Sequence, residues 1–277
     1  MLPLNEKGQR VPTTGKMWGA LALSMALLPA LPAHACSKTV RWFDDAPYSF
    51  RAPNGHVAGF DVELTREVLR RIGCQAVFVE MPWARALVQL QSGRLDILPS
   101  TFRNEQREAF AYFSIPSLQS RNVLYIGPKA QSRYRLSELS DIVGTTFRLG
   151  VQIGVSYGDK FDTLKADSRF TSNQVPVTFR RGAWKMMEMG RIDGMIADEA
   201  SAALELQQLG LSHILKASAV IVSTNTSRIA FSKRSVSPQL VGAFNRALES
   251  MIADGEYRKI RVRYLRCPTE VKVLGCA

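Results

Sequence analysis

The chain has 277 residues, of which 46% are hydrophobic, and a formal net charge of +12 at pH 7. This length is enough for two lobes with separate hydrophobic cores. A basic protein can bind nucleic acid, but here the lysines and arginines are scattered, and no arginine-rich helix is interleaved with aromatic residues. We therefore predict a solvated basic surface and no nucleic-acid partner.

The N-terminal segment predicts secretion. Residues 17–28 form a mostly apolar run without charged side chains, and Ala33-His34-Ala35 follows as a small-x-small cleavage site. The run is too short to span a membrane, so we assign residues 1–35 to a cleavable signal peptide and the mature protein to the periplasm. Either Met1 or Met17 can be the start. A lipoprotein anchored at Cys36 is the alternative, although Ala33 stands where lipidation usually requires a leucine-like residue.

All four cysteines, Cys36, Cys74, Cys267 and Cys276, follow this leader. An even number in an oxidising compartment predicts disulfides, with three possible connectivities. We favour Cys36–Cys74, because the strands that these residues precede are expected to be parallel neighbours. Cys267–Cys276 would then close a short loop, and buried free thiols are the alternative. The sequence contains no CxxC pattern typical of a zinc or redox site.

Strand and helix patterns alternate in the first part of the mature chain. The alternation of strands and helices favours the α/β class with a mostly parallel sheet. Residues 59–73 have the pattern of an amphipathic helix, and Asp61 is predicted to cap its start and Gly73 its end. Strand patterns cover residues 39–43, 74–79 and 95–98, and helical patterns cover 59–73 and 83–91.

The second part of the chain repeats this alternation. Residues 92–98 are echoed by residues 189–195, and each segment follows a helical pattern that contains a tryptophan, Trp83 or Trp184. The echo predicts two similar lobes. Further patterns are a crossing strand at 121–126, a short helical segment at 136–143, a strand at 147–153, a return at 228–232 and a final apolar stripe at 240–251.

The sequence of residues 59–73, GFDVELTREVLRRIG, resembles the diagnostic segment of bacterial extracellular solute-binding proteins of family 3, the polar-amino-acid receptors of ABC importers. Residues 256–260, EYRKI, are similar to the closing helices of that family. The resemblance covers nearly the whole mature chain up to Cys267. It implies a two-lobed periplasmic-binding-protein fold (type II) with two crossing hinge strands. Lobe 1 would comprise 36–118 plus 232–277, and lobe 2 would comprise 119–231.

The resemblance also implies a ligand site. A buried amino acid needs a guanidinium for its carboxylate and a carboxylate for its ammonium group. Arg107 precedes the Phe113-Ser114 element by six residues, which is the family spacing of the carboxylate clamp. Ser100 and Thr101 stand where the family has ligand-facing hydroxyl and backbone groups, but Phe102 replaces the serine or threonine of many relatives.

In the second lobe, the resemblance implies two further ligand contacts. Ser156 lies in a turn that is similar to the family's anion-binding helix start. Asp198 resembles the carboxylate that receives the ammonium group, and as an alternative or additional role it can cap the following helix. Trp83 takes the family's aromatic wall position, although a tryptophan there could also belong to the core.

The charges near the first strand do not identify the ligand. Asp44 and Asp45 end that strand and are expected to face the same crevice. They would favour a cationic ligand side chain, or merely cap a turn. Arg85 and Arg103 would favour an anionic group, so the two signals conflict.

These features predict a hinge-closing receptor without a cofactor, not an enzyme. We expect a monomer that binds an amino acid or a similar small polar solute and passes it to an ABC permease at the inner membrane. A periplasmic sensor or accessory binding protein is the alternative. Less favoured are a dehydratase on the same fold and a serine hydrolase using Ser156, which lies in a G-x-S-x-G pattern upstream of His213.

Overall fold

The computed structural model describes residues 36–265 and two isolated residues, Glu6 and Gly8. The chain divides into two units, Met1–His34 and Ala35–Ala277, and the second contains all the helices and strands of the described residues. The predicted signal peptide, apart from those two residues, and the predicted pairing of Cys267 with Cys276 lie outside the described residues.

Eleven strands and ten α-helices make up the described part of the chain. The strands are β1 Cys36–Trp42, β2 Phe50–Arg51, β3 Val57–Ala58, β4 Cys74–Glu80, β5 Ile97–Thr101, β6 Ala111–Phe113, β7 Leu118–Ile126, β8 Leu149–Gln152, β9 Gln174–Val177, β10 Gly194–Asp198 and β11 Lys216–Ser232. The helices are α1 Phe60–Arg71, α2 Trp83–Ser92, α3 Glu105–Glu108, α4 Pro128–Arg133, α5 Asp159–Leu164, α6 Ser168–Ser172, α7 Arg180–Glu188, α8 Glu199–Gln208, α9 Pro238–Ala253 and α10 Glu256–Tyr264, with a 3-10 turn at Leu139–Ile142.

The strand order is β4-β1-β5-β11-β7-β10-β8-β9, and β6 pairs with β11. At one end β4, β1 and β5 are parallel, and at the other β10, β8 and β9 are parallel. β11 pairs antiparallel with β5 and β6 near its end and with β7 over the rest of its length. β7 and β11 are therefore the two crossing segments of a two-lobed, type II fold, as the sequence predicts. The lobe limits at 118/119 and 231/232 stay predictions.

Helices cover both faces of each parallel sheet. In the first lobe (β1, β4–β6, α1–α3, α9 and α10), one core contains Phe60, Leu64 and Phe244, and a second contains Leu90 and Leu98. In the second lobe (β8–β10 and α4–α8), the two cores centre on Trp184 and Phe147. Strands β5 and β10, which lie inside the sheet, are accordingly buried at nearly every position.

Helix α1 carries one correction to the sequence analysis. Asp61 is not the cap, because Gly59 is the N-cap residue and Asp61 lies buried in the first turn, 7% exposed. The first amides are satisfied by backbone instead: Phe60 N donates to Pro47 O and Asp61 N to Tyr48 O. A Cβ on Gly59, at φ 121°, would lie 2.4 Å from Tyr48 O, so only glycine permits this approach. At the other end, Gly73 follows the helix at φ 72°, as predicted.

The predicted disulfide between Cys36 and Cys74 is present. The two residues face each other at the start of the parallel pair β1 and β4, with a Cα–Cα distance of 4.5 Å. The sulfur of Cys36 is thereby occupied, which leaves it unable to carry a thioether-linked lipid in this structure. Parallel register therefore fixes the pairing that the sequence favours among the three connectivities.

Candidate functional site

A cavity of about 110 Å³ lies between the two lobes. The carboxyl ends of parallel strands β1, β5 and β10 face it, which is where ligands bind in such sheets. Its charged lining residues are three arginines and three aspartates: Arg41, Arg107, Arg180, Asp45, Asp61 and Asp198.

Arg107 is a buried cation without an acidic partner. It sits on α3, whose first turn is capped by Asn104, and is 6% exposed. The guanidinium donates only to backbone carbonyls, from Nη1 to Phe102 O at 2.8 Å and from Nη2 to Gly154 O at 3.1 Å. Burial lowers its pKa to about 10. Among the residues that the structure describes, Arg107 forms no ion pair, so a ligand carboxylate could supply the missing negative charge.

Arg180, on α7, lies in a fully paired cluster. It donates to Asp45 across the cleft and to Glu205, with an Nη2–Oε1 distance of 2.9 Å. The indole of Trp184 also donates to Glu205 at 2.6 Å, and the Ser201 hydroxyl donates to Asp45 at 3.0 Å. Burial alone would raise the pKa of Asp45, but Arg180 holds it below its ordinary value, while the two acids raise the pKa of Arg180.

Asp198 is one of two acids, with Asp61, that line the cavity without an ion pair to a described cation. Its Oδ1 accepts from Ser201 N at 3.0 Å, which makes it the N-cap of α8, and from the Tyr48 hydroxyl at 2.9 Å. Burial raises its pKa to about 6, and these two hydrogen bonds only partly offset that rise. Capping and cavity lining therefore coexist in this one carboxylate, which has room to accept a ligand ammonium group.

Three other residues that the sequence analysis selects also line the cavity. The Trp83 indole donates to Gly154 O at 3.0 Å and thus joins the lobes. Ser100 adopts a left-handed φ of 49° and its hydroxyl bonds to Asp61. Ser156 donates to Asp162 Oδ2 at 3.3 Å. The structure brings these residues together with Arg107, Asp45 and Asp198, and their roles toward a ligand stay predictions.

The structure places three other selected residues outside the lining. Thr101 follows Ser100 in β5 and points to the opposite side, where its hydroxyl bonds to Leu98 O and Pro99 O. Asp44 is exposed, because the chain turns so that Asp45 alone faces inward. Arg85 is exposed on the outer side of α2. The expectation that Asp44 and Arg85 face the crevice is therefore wrong, and so is a ligand-facing side chain for Thr101.

Sequence reasoning missed several lining residues, of which Asp61, Arg41 and Arg180 carry charge. Asp61 could have been found, because it falls within the buried arc of α1 beside Phe60 and Leu64, where an acid is costly. Its pKa is raised to about 7 by burial, with Ser100 opposing. Burial lowers the pKa of Arg41, with Asp45 and Asp61 opposing. Other lining residues that were missed are Tyr48, Asn122 and Gln152.

The geometry does not assemble a serine hydrolase. Ser156 bonds to Asp162, whereas His56 and His213 are both exposed and neither lines the cavity. Over residues 36–265, no group of three or more His, Cys, Asp and Glu side chains could hold a metal ion. Within the same range, no helix combines the length and apolar character needed to cross a membrane.

Relatives of known function match most of the chain. It is 27% identical to the histidine-binding periplasmic protein of Salmonella typhimurium, over 88% of this chain and 96% of that protein. It is 25% identical to the L-arginine-binding protein of Pseudomonas aeruginosa, over 89% and 94%. A cyclohexadienyl dehydratase from the same organism is 31% identical, but over 37% of this chain and 39% of the enzyme.

Solved structures show the same fold. A histidine kinase sensor domain similar to periplasmic binding proteins superposes with a TM-score of 0.71 at 19% identity, covering 84% of this chain and 96% of that chain. The family model for bacterial extracellular solute-binding proteins, family 3, matches residues 42–266. The chain therefore belongs to the bacterial extracellular solute-binding proteins, family 3.

Proposed function

We propose that this protein captures an amino acid or a similar small polar solute between its lobes and delivers it to an ABC permease at the inner membrane. The observation that carries the proposal is that Arg107 on the first lobe and Asp198 on the second both line the cavity, and neither forms an ion pair within the described part of the chain. A ligand with a carboxylate and an ammonium group would pair with both, its carboxylate with Arg107 and its ammonium group with Asp198. The binding specificities of the histidine- and arginine-binding relatives support the same ligand class.

Hinge closure follows from where the groups lie. The ligand first docks on the first lobe through Arg107, Trp83 and Ser100. Rotation about the crossing strands β7 and β11 then brings Ser156 and Asp198 onto it. The ligand favours the closed form because only that form presents both charges. Micromolar affinity corresponds to about 8 kcal/mol, which is comparable with the effect of a few desolvated charge pairs.

The test is isothermal titration calorimetry of the full-length chain against the proteinogenic amino acids, with Arg107→Ala as the site variant. We expect at least one amino acid to bind, and Arg107→Ala to reduce its affinity by about 2–5 kcal/mol. Thermal unfolding should show a variant that is folded and only modestly destabilised, because no acid is left unpaired but the hydrogen bonds to Phe102 O and Gly154 O are lost.

Arg103→Ala is the matched control. Arg103 is close in sequence and exposed, and it pairs with Glu108 rather than facing the cavity. The affinity of the Arg103→Ala variant for the same amino acid should equal that of the wild type. Retained affinity in Arg107→Ala would refute the proposal. If no amino acid binds, the titrations are repeated with small carboxylates, and binding of none of these compounds would refute it as well. Delivery to a permease is tested separately, by amino-acid uptake with the reconstituted transporter, and the monomeric state by light scattering.

A further inference from the structure

Two charged residues that line the cavity have no part in the proposed function, Arg41 and Asp61. We infer that they form a subsite for the side chain of the ligand, and that the ligand is an amino acid with a carboxamide side chain, glutamine or asparagine. This inference rests on the proposed function, in which Arg107 and Asp198 bind the carboxylate and the ammonium group that all amino acids share.

Arg41 presents a free guanidinium fork to the cavity. It is the penultimate residue of β1, and its Nε donates to Met81 O at 3.2 Å. The guanidinium also packs against two rings, with its carbon 5.7 Å from the ring centroid of Phe43 and 5.5 Å from that of Trp83. These contacts hold the side chain in place, and over residues 36–265 neither terminal nitrogen has a hydrogen-bond partner. The N–H groups of both nitrogens are therefore available to an acceptor on the ligand.

Asp61 supplies the complementary acceptor. It lies in the first turn of α1, 7% exposed, and its carboxyl group accepts from the Ser100 hydroxyl. A carboxylate has about four lone-pair sites, so most of them remain for a donor on the ligand. Arg41 and Asp61 share no ion pair, yet each opposes the effect of burial on the pKa of the other. A donor and an acceptor thus lie near each other in the cavity without bonding to each other.

The remaining charged residues of the lining are already engaged. Arg180 bonds to both Asp45 and Glu205, and Asp45 also accepts from the Ser201 hydroxyl. Removing any member of this cluster from the others would leave a buried charge uncompensated. The ligand side chain is therefore expected to find its partners at Arg41 and Asp61 rather than in the cluster.

The two groups together disfavour a charged or an apolar side chain. A carboxylate would pair with Arg41 but would bring a negative group next to Asp61. A lysine or arginine side chain would pair with Asp61 but would bring a positive charge next to Arg41. An apolar side chain would leave both groups desolvated without a partner.

A carboxamide satisfies both groups. Its oxygen has two lone pairs for the fork of Arg41, and its NH2 group donates to the carboxylate of Asp61. The oxygen can also accept from Asp61 in its protonated form, so the match does not depend on the charge of that residue. A neutral imidazole offers one acceptor nitrogen with a single lone pair, and it can therefore engage only one nitrogen of the fork.

Calorimetry on the full-length wild type tests the ligand class, with L-glutamine and L-asparagine against L-glutamate, L-arginine, L-histidine and L-methionine. We expect the tighter of the two amides to bind more tightly than each of the other four by about tenfold or more. A smaller margin or a reversed order would overturn the inference, and the proposed function would stand if Arg107→Ala still abolishes binding of the preferred amino acid. If no amino acid binds, the inference fails, and titrations with small carboxylates decide the proposed function.

Two charge-neutralising variants test the subsite itself. Arg41→Met removes the fork but keeps an unbranched side chain against Phe43 and Trp83, and its affinity for L-arginine relative to L-glutamine should rise by about tenfold or more, because Asp61 is then unopposed. Asp61→Asn keeps an acceptor for the Ser100 hydroxyl, and its affinity for L-glutamate relative to L-glutamine should rise similarly. A general disturbance of the cavity would not shift the preference toward opposite charges in the two variants.

Arg85→Met and Asp44→Asn are the matched controls, because both residues are exposed and neither lines the cavity. Their preferences should equal that of the wild type. A folded variant of Arg41 or Asp61 that lacks its expected shift would overturn the role of that residue. If circular dichroism shows that Arg41→Met does not fold, Asp61→Asn alone decides the assignment.

Discussion

The cavity uses arginine and aspartate side chains in two opposite ways. In the paired cluster, Arg180 and Asp45 bond directly, and this pairing favours the charged form of each: the pKa of Asp45 is lowered and that of Arg180 is raised. Arg107 and Asp198 have no such partners. Burial favours the neutral form of each: it lowers the pKa of Arg107 to about 10 and raises that of Asp198 to about 6.

This difference separates structure from binding. A buried ion pair that is complete holds its two elements together, and removing one member leaves an uncompensated charge. A buried charge without a partner carries an unmet desolvation cost, which a ligand of opposite charge can relieve. The paired cluster is therefore expected to govern stability, whereas the unpaired groups, Arg107 and Asp198, are expected to govern ligand affinity.

The largest expected effect comes from breaking the paired cluster. Arg180→Met would leave Glu205 buried, and Asp45 partly buried, without their cation, and we expect the free energy of unfolding to fall by about 3–5 kcal/mol. Urea denaturation followed by circular dichroism measures it. Arg181→Met, one residue along the same helix, should stay within about 0.5 kcal/mol of the wild type.

An Arg180→Met variant as stable as Arg181→Met would contradict the distinction between a stabilising paired cluster and ligand-binding unpaired charges. It would mean that the cluster contributes nothing beyond a hydrophobic replacement of similar volume. In that case Asp45 and Glu205 would have to be satisfied by Ser201 and Trp184 alone.

A smaller effect, on ligand affinity, is expected when one of the unpaired groups is changed. Asp198→Asn keeps the oxygen that caps α8 and accepts from Tyr48, but it removes the charge, so stability should be unchanged. Affinity for an amino acid should fall by about 2 kcal/mol, because the ammonium group loses its counter-ion. Calorimetry should show little change for the corresponding carboxylic acid without an amine. Equal losses for both ligands would refute the role of Asp198.

The architecture could be predicted from the sequence because it depends on repeated local signals. Alternating strand and helix patterns predict parallel sheets with β1 and β4 as neighbours, which is why the Cys36–Cys74 bond could be predicted. The motif-based residues Arg107, Trp83, Ser100, Ser156 and Asp198 do line one cavity.

The charge pairing within that cavity could not be predicted in the same way. Asp45 and Arg180 are far apart in sequence and meet only because the lobes face each other. Asp44 and Asp45 look equivalent in the sequence, yet the turn after β1 exposes Asp44 and directs Asp45 into the cavity. Tertiary contacts of this kind leave no local periodicity to read.

The smallest effect is a pH dependence that distinguishes Asp198 from Asp45. The ammonium group requires ionised Asp198, whose pKa in the ligand-free protein is about 6. As pH falls through this value the carboxyl takes up a proton and the charge pair is lost, so affinity should be constant above about pH 7 and fall about tenfold by pH 5. Asp45, whose pKa is lowered, stays charged over this range and contributes nothing to the slope.

Calorimetric titrations from pH 8 to pH 5 measure this profile, and Asp198→Asn should flatten it. Asp61 is the competing titratable group in the cavity, with a pKa of about 7. A profile centred near pH 7 that Asp61→Asn abolishes, and Asp198→Asn leaves intact, would transfer the pH dependence to Asp61. Asp198 would then act as a helix cap only, and the ammonium group would need another acceptor, because a carboxylate that pairs with it must be ionised to do so.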